Sequence, residues 1–147
     1  ALEEAAVRRM VYSVMSEREI AAFAIPIALA WKALGAKILI MPPDTHDRVV
    51  SRISHLPHLL MYSLMNMIED DSIQYASSGF KDSTRIAASD HRIWTEIFLS
   101  NKKHLLKDID LFIKRLEKYK KFLSASRRSS LSSIIEDASN KRKRLQK

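Results

Sequence analysis

The chain has 147 residues, enough for one domain with a real core, and its 25 lysines and arginines against 17 acidic residues give a net charge of +8. Two glycines and four prolines argue against a turn-rich β protein and for long helices. The absence of cysteine excludes a disulfide framework and a thiolate zinc site, so a reducing compartment, the cytoplasm, is the expected home.

Residues 2–24 read as a helix, with Leu2, Ala6, Met10 and Val14 recurring every four positions and Val7 and Val11 beside them. The opening Leu2-Glu3-Glu4 is not the cationic start of a signal peptide. Ala1 stands where an initiator methionine would, so the chain is expected to begin inside a longer protein or to have been processed. The longest uncharged apolar run, Ile20 to Trp31, falls short of the ~20 residues that cross a bilayer, and no membrane partner is expected. Pro26 interrupts the pattern, and a second helix through Ile27–Leu34 stops at Gly35. Ala36–Met41 is short and β-rich, and Pro42-Pro43 ends it. A strand there would be an orphan with unpaired backbone. It could pair with its copy in a second subunit, be covered by the N-terminal helix, or not be a strand.

Asp44 or Thr45 can cap the next helix, which runs to about Met67. Pro57 lies inside it, removes one amide and frees the carbonyl near Ile53, so a kink is expected beside Ser54 and His58. Glu69–Ser78 reads as irregular. Asp82 or Ser83 can cap a short helix through Ala88, and Ser89 a long one from Asp90 to Ser124. Ile109, Phe112, Leu116, Tyr119 and Leu123 form a heptad-like seam on it. After a serine-rich linker, Ser133-x-x-Glu136 is a capping box for a last helix. From Arg127 onward seven basic residues face Glu136 and Asp137. Such a tail could touch nucleic acid or an anionic surface. The plainer reading, cations favouring a helix C-terminus, makes nucleic acid an unlikely partner.

Ser54 and His58, four apart, share one face of the bent helix, where imidazole and hydroxyl can bind an anion or orient a hydroxyl. His55 points elsewhere and reads as structural, and His46 caps or lies against the linker. The arginine fork of Arg85 can take a carboxylate through two parallel hydrogen bonds. Asp82 can cap its helix, and Trp94 can be core, the usual fate of a tryptophan in a helix. His55-x-x-His58 has no third ligand of matching spacing, so no metal site is expected. With glycines only at 35 and 79, the dinucleotide fingerprint is absent.

His46-Asp47, Ser54-His55-Leu56-Pro57-His58 and Gly79-Phe80-x-Asp82-x-Thr84-Arg85-Ile86-Ala87-x-Ser89-Asp90-x-x-x-Trp94 resemble the all-helical C-terminal domain of prephenate dehydrogenase, from about Ala30 onward. The resemblance implies an all-α helical bundle whose long helices form an intertwined homodimer. Residues 1–43 would be the remnant or replacement of the end of a dinucleotide domain, and 44–147 the dimerisation and substrate-side domain. It implies substrate binding by Ser54, His58, Asp82, Arg85 and Trp94, with prephenate or tyrosine as ligand and Trp94 walling the neighbouring subunit's pocket. The family's catalytic histidine belongs to the dinucleotide domain. This chain alone is therefore expected to bind no cofactor and to be inactive, with NAD or NADP used by the whole enzyme. Ser77-Ser78 stand where the family usually carries glycines, which let backbone approach a ligand. Two other classes compete: a ligand-free helical oligomerisation module, and a basic helical nucleic-acid-binding protein.

Overall fold

A chain this poor in glycine and proline has few places to stop a helix, and the computed structural model is helical along most of its length. It describes the backbone of Val11–Tyr12 and residues 25–146. Strand β1 (Val11–Tyr12) pairs in parallel with β2 (Leu39–Ile40), Val11 beside Leu39 and Tyr12 beside Ile40. Val11 and Tyr12 fall inside the helix expected over 2–24 and are extended instead. A β-branched and an aromatic residue suit pleated backbone, and the short strand needs a partner for its amides. The remainder of that expected helix lies outside the described residues. The strand within 36–41 is thus paired within its own chain rather than orphaned.

Helix α1 (Ile25–Ala33) carries Pro26 in its first turn, where the missing N–H is no loss. It closes with the Gly35 N–H on the Lys32 carbonyl and the Ala36 N–H on the Trp31 carbonyl, Gly35 taking φ +83. Helix α2 (Pro43–Val50) begins two or three residues before the start expected from a cap at Asp44 or Thr45. No side chain caps it; Asp44 sits in its first turn, where a carboxylate favours the dipole. A π-helical turn, Ser51–His55, leads into α3 (Leu56–Met67), and the Leu56 N–H returns five residues to the Ser51 carbonyl. Pro57 explains the widened turn: its ring crowds the carbonyl four residues back, and one extra residue in the turn relieves the clash. The expected kink takes this form.

Helix α4 (Asp70–Ile73) is a single turn within the segment expected to be irregular. Helix α5 (Ser78–Thr84) is capped by Ser77, whose hydroxyl accepts from the Phe80 N–H at 3.5 Å. Asp82 and Ser83 therefore lie inside it and cap nothing, because an N-cap needs the extended backbone that Ser77 has. A 3-10 turn, Arg85–Ala88, follows. Asp90 rather than Ser89 caps α6 (His91–Ser100), accepting the Arg92 N–H at 2.9 Å and holding the Arg92 guanidinium at 2.8 Å. The long helix expected over 90–124 is broken at Asn101 (φ −110, ψ 26), and α7 (Lys102–Ser124) begins afterwards. Helix α8 (Arg128–Lys143) starts five residues before the expected capping box, which falls in its interior, and ends with Lys141, Arg142 and Lys143 in its last turn.

Between α7 and α8 the Ser126 N–H meets the Leu123 carbonyl and the Arg127 N–H the Phe122 carbonyl, with Ser126 at φ +48. A serine here bears left-handed strain that glycine avoids. Ser126→Gly should stabilise the chain by about 0.5–1 kcal/mol, read as a higher urea midpoint; a lower midpoint would refute the assignment.

The chain divides into two compact units, residues 1–105 and 106–147. In the first, α3 lies against α5 and the Arg85–Ala88 turn. Tyr62 fastens this arrangement by donating its hydroxyl to the Ser89 carbonyl at 2.9 Å. In the second, the rest of α7 and α8 scarcely touch. Among the described residues only Ala36 and Leu105 are buried hydrophobics, whereas Leu106, Leu116, Leu123 and Ile135 are more than half exposed. No helix among them is long and apolar enough to cross a membrane.

Candidate functional site

The widened turn before Pro57 decides the chemistry around it. His58 Nδ1 lies 2.9 Å from the Ser54 carbonyl, which can only accept. Nδ1 therefore carries a proton, and in the neutral ring Nε2 keeps its lone pair for another partner. Ser54 enters this contact through its backbone. The imidazole of His58 stacks on the indole of Trp94 from α6, centroids 3.4 Å apart and planes 18° apart. Trp94 also stands perpendicular to His55 at 6.2 Å and touches Phe98 at 5.6 Å, and Phe98 meets Tyr62 edge-on. A hydrogen bond and a stacked ring thus fix His58 with one nitrogen left for a ligand.

Ser54, His58 and Trp94 form one contact group. Asp82 and Arg85 are not part of it: they lie on α5 and the 3-10 turn beside α3, and both are exposed. Among the described residues neither side chain has a hydrogen-bond or ion-pair partner. The turn is anchored from below by Thr84, buried, with its hydroxyl donating to the Phe80 carbonyl at 2.8 Å. Over Gly79 the surface is open, since a Cβ there would meet nothing within 4 Å.

His46 caps nothing, since no side chain caps α2; its Nδ1 faces the Asp47 carboxylate at 2.9 Å. Asp44 receives His104 at 3.1 Å and Lys103 at 3.6 Å. The His104 hydrogen bond is the main reason the Asp44 carboxyl is held below its ordinary range. Asn101, unremarked in the sequence, donates from Nδ2 to the Asp47 carbonyl at 2.7 Å and reaches His55 Nδ1 at 3.2 Å. The available signal was an asparagine in a helix interior, where its amide competes with the backbone. No three histidine, aspartate or glutamate side chains among the described residues come together as a metal site.

Burial pushes the His55 pKa below the ordinary histidine value; the Asp47 carboxylate opposes the shift, and His46 and His58 add to it. As pH falls, the unfolded chain therefore takes up its proton before the folded one does. The stability contributed by neutral His55 is fully present above about pH 6.5 and is lost as pH drops towards and through the depressed folded value. The urea midpoint should decline from about pH 7 to pH 5, and decline less in His55→Gln. Equal declines would count against this assignment.

Residues 42–137 match the family model described as prephenate dehydrogenase, dimerization domain, a span that contains all five candidate residues. A cyclohexadienyl dehydrogenase from Zymomonas mobilis is 39% identical over 99 residues, 63% of this chain and 34% of that protein. A prephenate dehydrogenase from Lactococcus lactis is 37% identical over 92 residues, 58% of this chain and 26% of that protein. The chain thus spans about a third or less of these relatives' own length. The solved prephenate dehydrogenase from A. aeolicus, in complex with hydroxyphenyl propionate and NAD+, is similar with TM-score 0.79 and 28% identity, covering 93% of this chain and 50% of that one. Synechocystis arogenate dehydrogenase, at TM-score 0.76 and 24% identity over 92% of this chain and 52% of its own, shares the fold.

Proposed function

Because the chain belongs to the prephenate dehydrogenase dimerization-domain family, we propose that it is the dimer-forming, substrate-side part of an NAD(P)-dependent enzyme that oxidatively decarboxylates prephenate or arogenate. Residues 44–147 are the part that carries this role. A nicotinamide held elsewhere in the whole enzyme would supply the hydride acceptor for the ring carbon bearing the hydroxyl, with loss of CO2 making the ring aromatic. The two glycines of this chain, at 35 and 79, are too far apart to form the closely spaced glycine turn that cradles a pyrophosphate, and the dinucleotide is assigned to a separate domain.

The chain's own residues bind and orient. Arg85, exposed and uncommitted among the described residues, grips a substrate carboxylate with its two parallel N–H groups. Asp82, three residues earlier and likewise unpaired among the described residues, is close enough along the chain to reach that guanidinium when substrate binds. His58 offers Nε2 to the ring hydroxyl, held in place by Ser54 and Trp94. Trp94 supplies a flat apolar wall, and a second copy of the chain completes the pocket.

The observation that carries the reading is the immobilised His58–Trp94 pair, next to a turn whose arginine has no partner among the described residues. The test is a thermal-shift titration with prephenate, tyrosine and 4-hydroxyphenylpropionate on the wild type and on Arg85→Ala. Stabilisation of the wild type alone supports the site. No stabilisation by any of the three leaves a ligand-free oligomerisation module.

A further inference from the structure

Asn101 is 5% exposed at the break between α6 and α7. The contact with the Asp47 carbonyl settles which way its amide points, since two carbonyl oxygens at 2.7 Å would repel. Nδ2 carries two hydrogens, and the second is directed to His55 Nδ1. That nitrogen accepts only with its lone pair free, so neutral His55 holds its proton on Nε2. His58 is the opposite case, with its proton on Nδ1 towards the Ser54 carbonyl. Two histidines three residues apart are thus held in opposite tautomers, and Trp94 lies against both, parallel to one ring and perpendicular to the other.

Building on the proposed ligand role of His58 and Trp94, we infer that Asn101 is a positioning residue for that site. Its amide holds His55 in the Nε2–H tautomer, perpendicular to Trp94, and so sets the indole plane on which His58 stacks. The same residue ties three segments together: its side chain holds α2 through the Asp47 carbonyl and the π-helical turn through His55, and its backbone N–H at the break before α7 meets the Ile97 carbonyl. An apolar residue would fill the space equally well but would leave the Asp47 carbonyl and His55 Nδ1 unsatisfied and the imidazole free to turn over. The ionisable groups acting on His55 are Asp47 and His46 on α2 and His58 on α3. A protonated His55 would set an N–H against the Asn101 N–H, so the lock exists only with neutral His55.

Nitrogen-15 NMR of the imidazoles in the wild-type chain reads both tautomers directly. His55 should show an unprotonated Nδ1, and His58 an unprotonated Nε2. Asn101→Asp, nearly isosteric, replaces the donor by an acceptor. The His55 proton should move to Nδ1 and its acid titration to higher pH. Trp31 is the one other tryptophan, so in a Trp31→Phe background the emission of Trp94 should also change. In the ligand titration, Asn101→Asp should weaken binding about tenfold, the scale expected for displacing an orienting group, whereas Asn101→Ser, which keeps a donor, should retain the Nε2–H form.

A wild-type His55 protonated on Nδ1 overturns the inference, and that measurement stands even if Asn101→Asp does not fold. So does an Asn101→Asp variant that melts earlier with tautomer, titration and emission unmoved, the mark of a merely structural residue. If the wild type binds ligand and Asn101→Asp binds it equally, the positioning role falls and the ligand reading survives. If no ligand stabilises the wild type while the two tautomers are as expected, the ligand reading falls and the lock itself stands.

Discussion

Arg85→Ala should remove most of the ligand-induced stabilisation while leaving the unliganded chain as stable as before. Exposure, and the absence of a partner for Arg85 among the described residues, mean that truncation removes no described contact, and such surface changes stay within about 0.5 kcal/mol. The bound state differs. A bidentate arginine–carboxylate pair contributes about 3 kcal/mol, roughly a hundredfold in Kd. At a ligand concentration of about 100 Kd the wild type gains about 2.7 kcal/mol, and a variant binding a hundredfold more weakly gains about 0.4 kcal/mol. Arg85→Lys should fall between the two, since an ammonium keeps the charge and loses the fork. An Arg85→Ala chain with an undiminished midpoint shift would remove Arg85 from the site.

Leu116→Glu combined with Leu123→Glu should convert a dimer into a monomer. Both leucines lie on α7, seven residues apart and so on one face, 52% and 61% exposed in the single chain. Within one chain the change is nearly free, because those side chains already face water. Across a twofold interface each substitution counts twice, and each lost leucine contact is worth about 2 kcal/mol, so association should weaken by roughly 8 kcal/mol, five orders of magnitude or more. Sedimentation at micromolar concentration should give about twice 16.9 kDa for the wild type and a single chain for the variant. A wild type sedimenting as one chain, or a variant remaining paired, would place the dimer contact elsewhere. The physical pressure to associate is plain: the described residues bury only two hydrophobics and leave Leu116 and Leu123 more than half exposed.

The all-helical class was legible from glycine and proline usage, and the disturbance at Pro57 from the chemistry of a ring without an N–H. Gly35 as the end of α1 was equally legible, because the left-handed backbone there favours glycine. Caps were less so. Thr45, Asp82, Ser83, Ser89 and Ser133 all had cap chemistry, and the helices start elsewhere. A cap depends on where the preceding backbone turns as well as on which oxygen is available. The break at Asn101 escaped notice because apolar periodicity runs through α6 and α7 alike, and one buried amide pulled towards Asp47 and His55 interrupts it.

Local chemistry written into the sequence determined the bent helix, the histidines on it, and the arginine fork of Arg85. Those depend on residues within one or two turns of each other. Tertiary structure decided that His58 stacks on Trp94, 36 positions away, that His55 answers to Asn101, and that Val11–Tyr12 extends to meet Leu39–Ile40. Periodicity reports which face of an element is apolar. Which ring meets which, and which nitrogen keeps its proton, follow from groups brought together by folding, where burial makes each hydrogen bond matter.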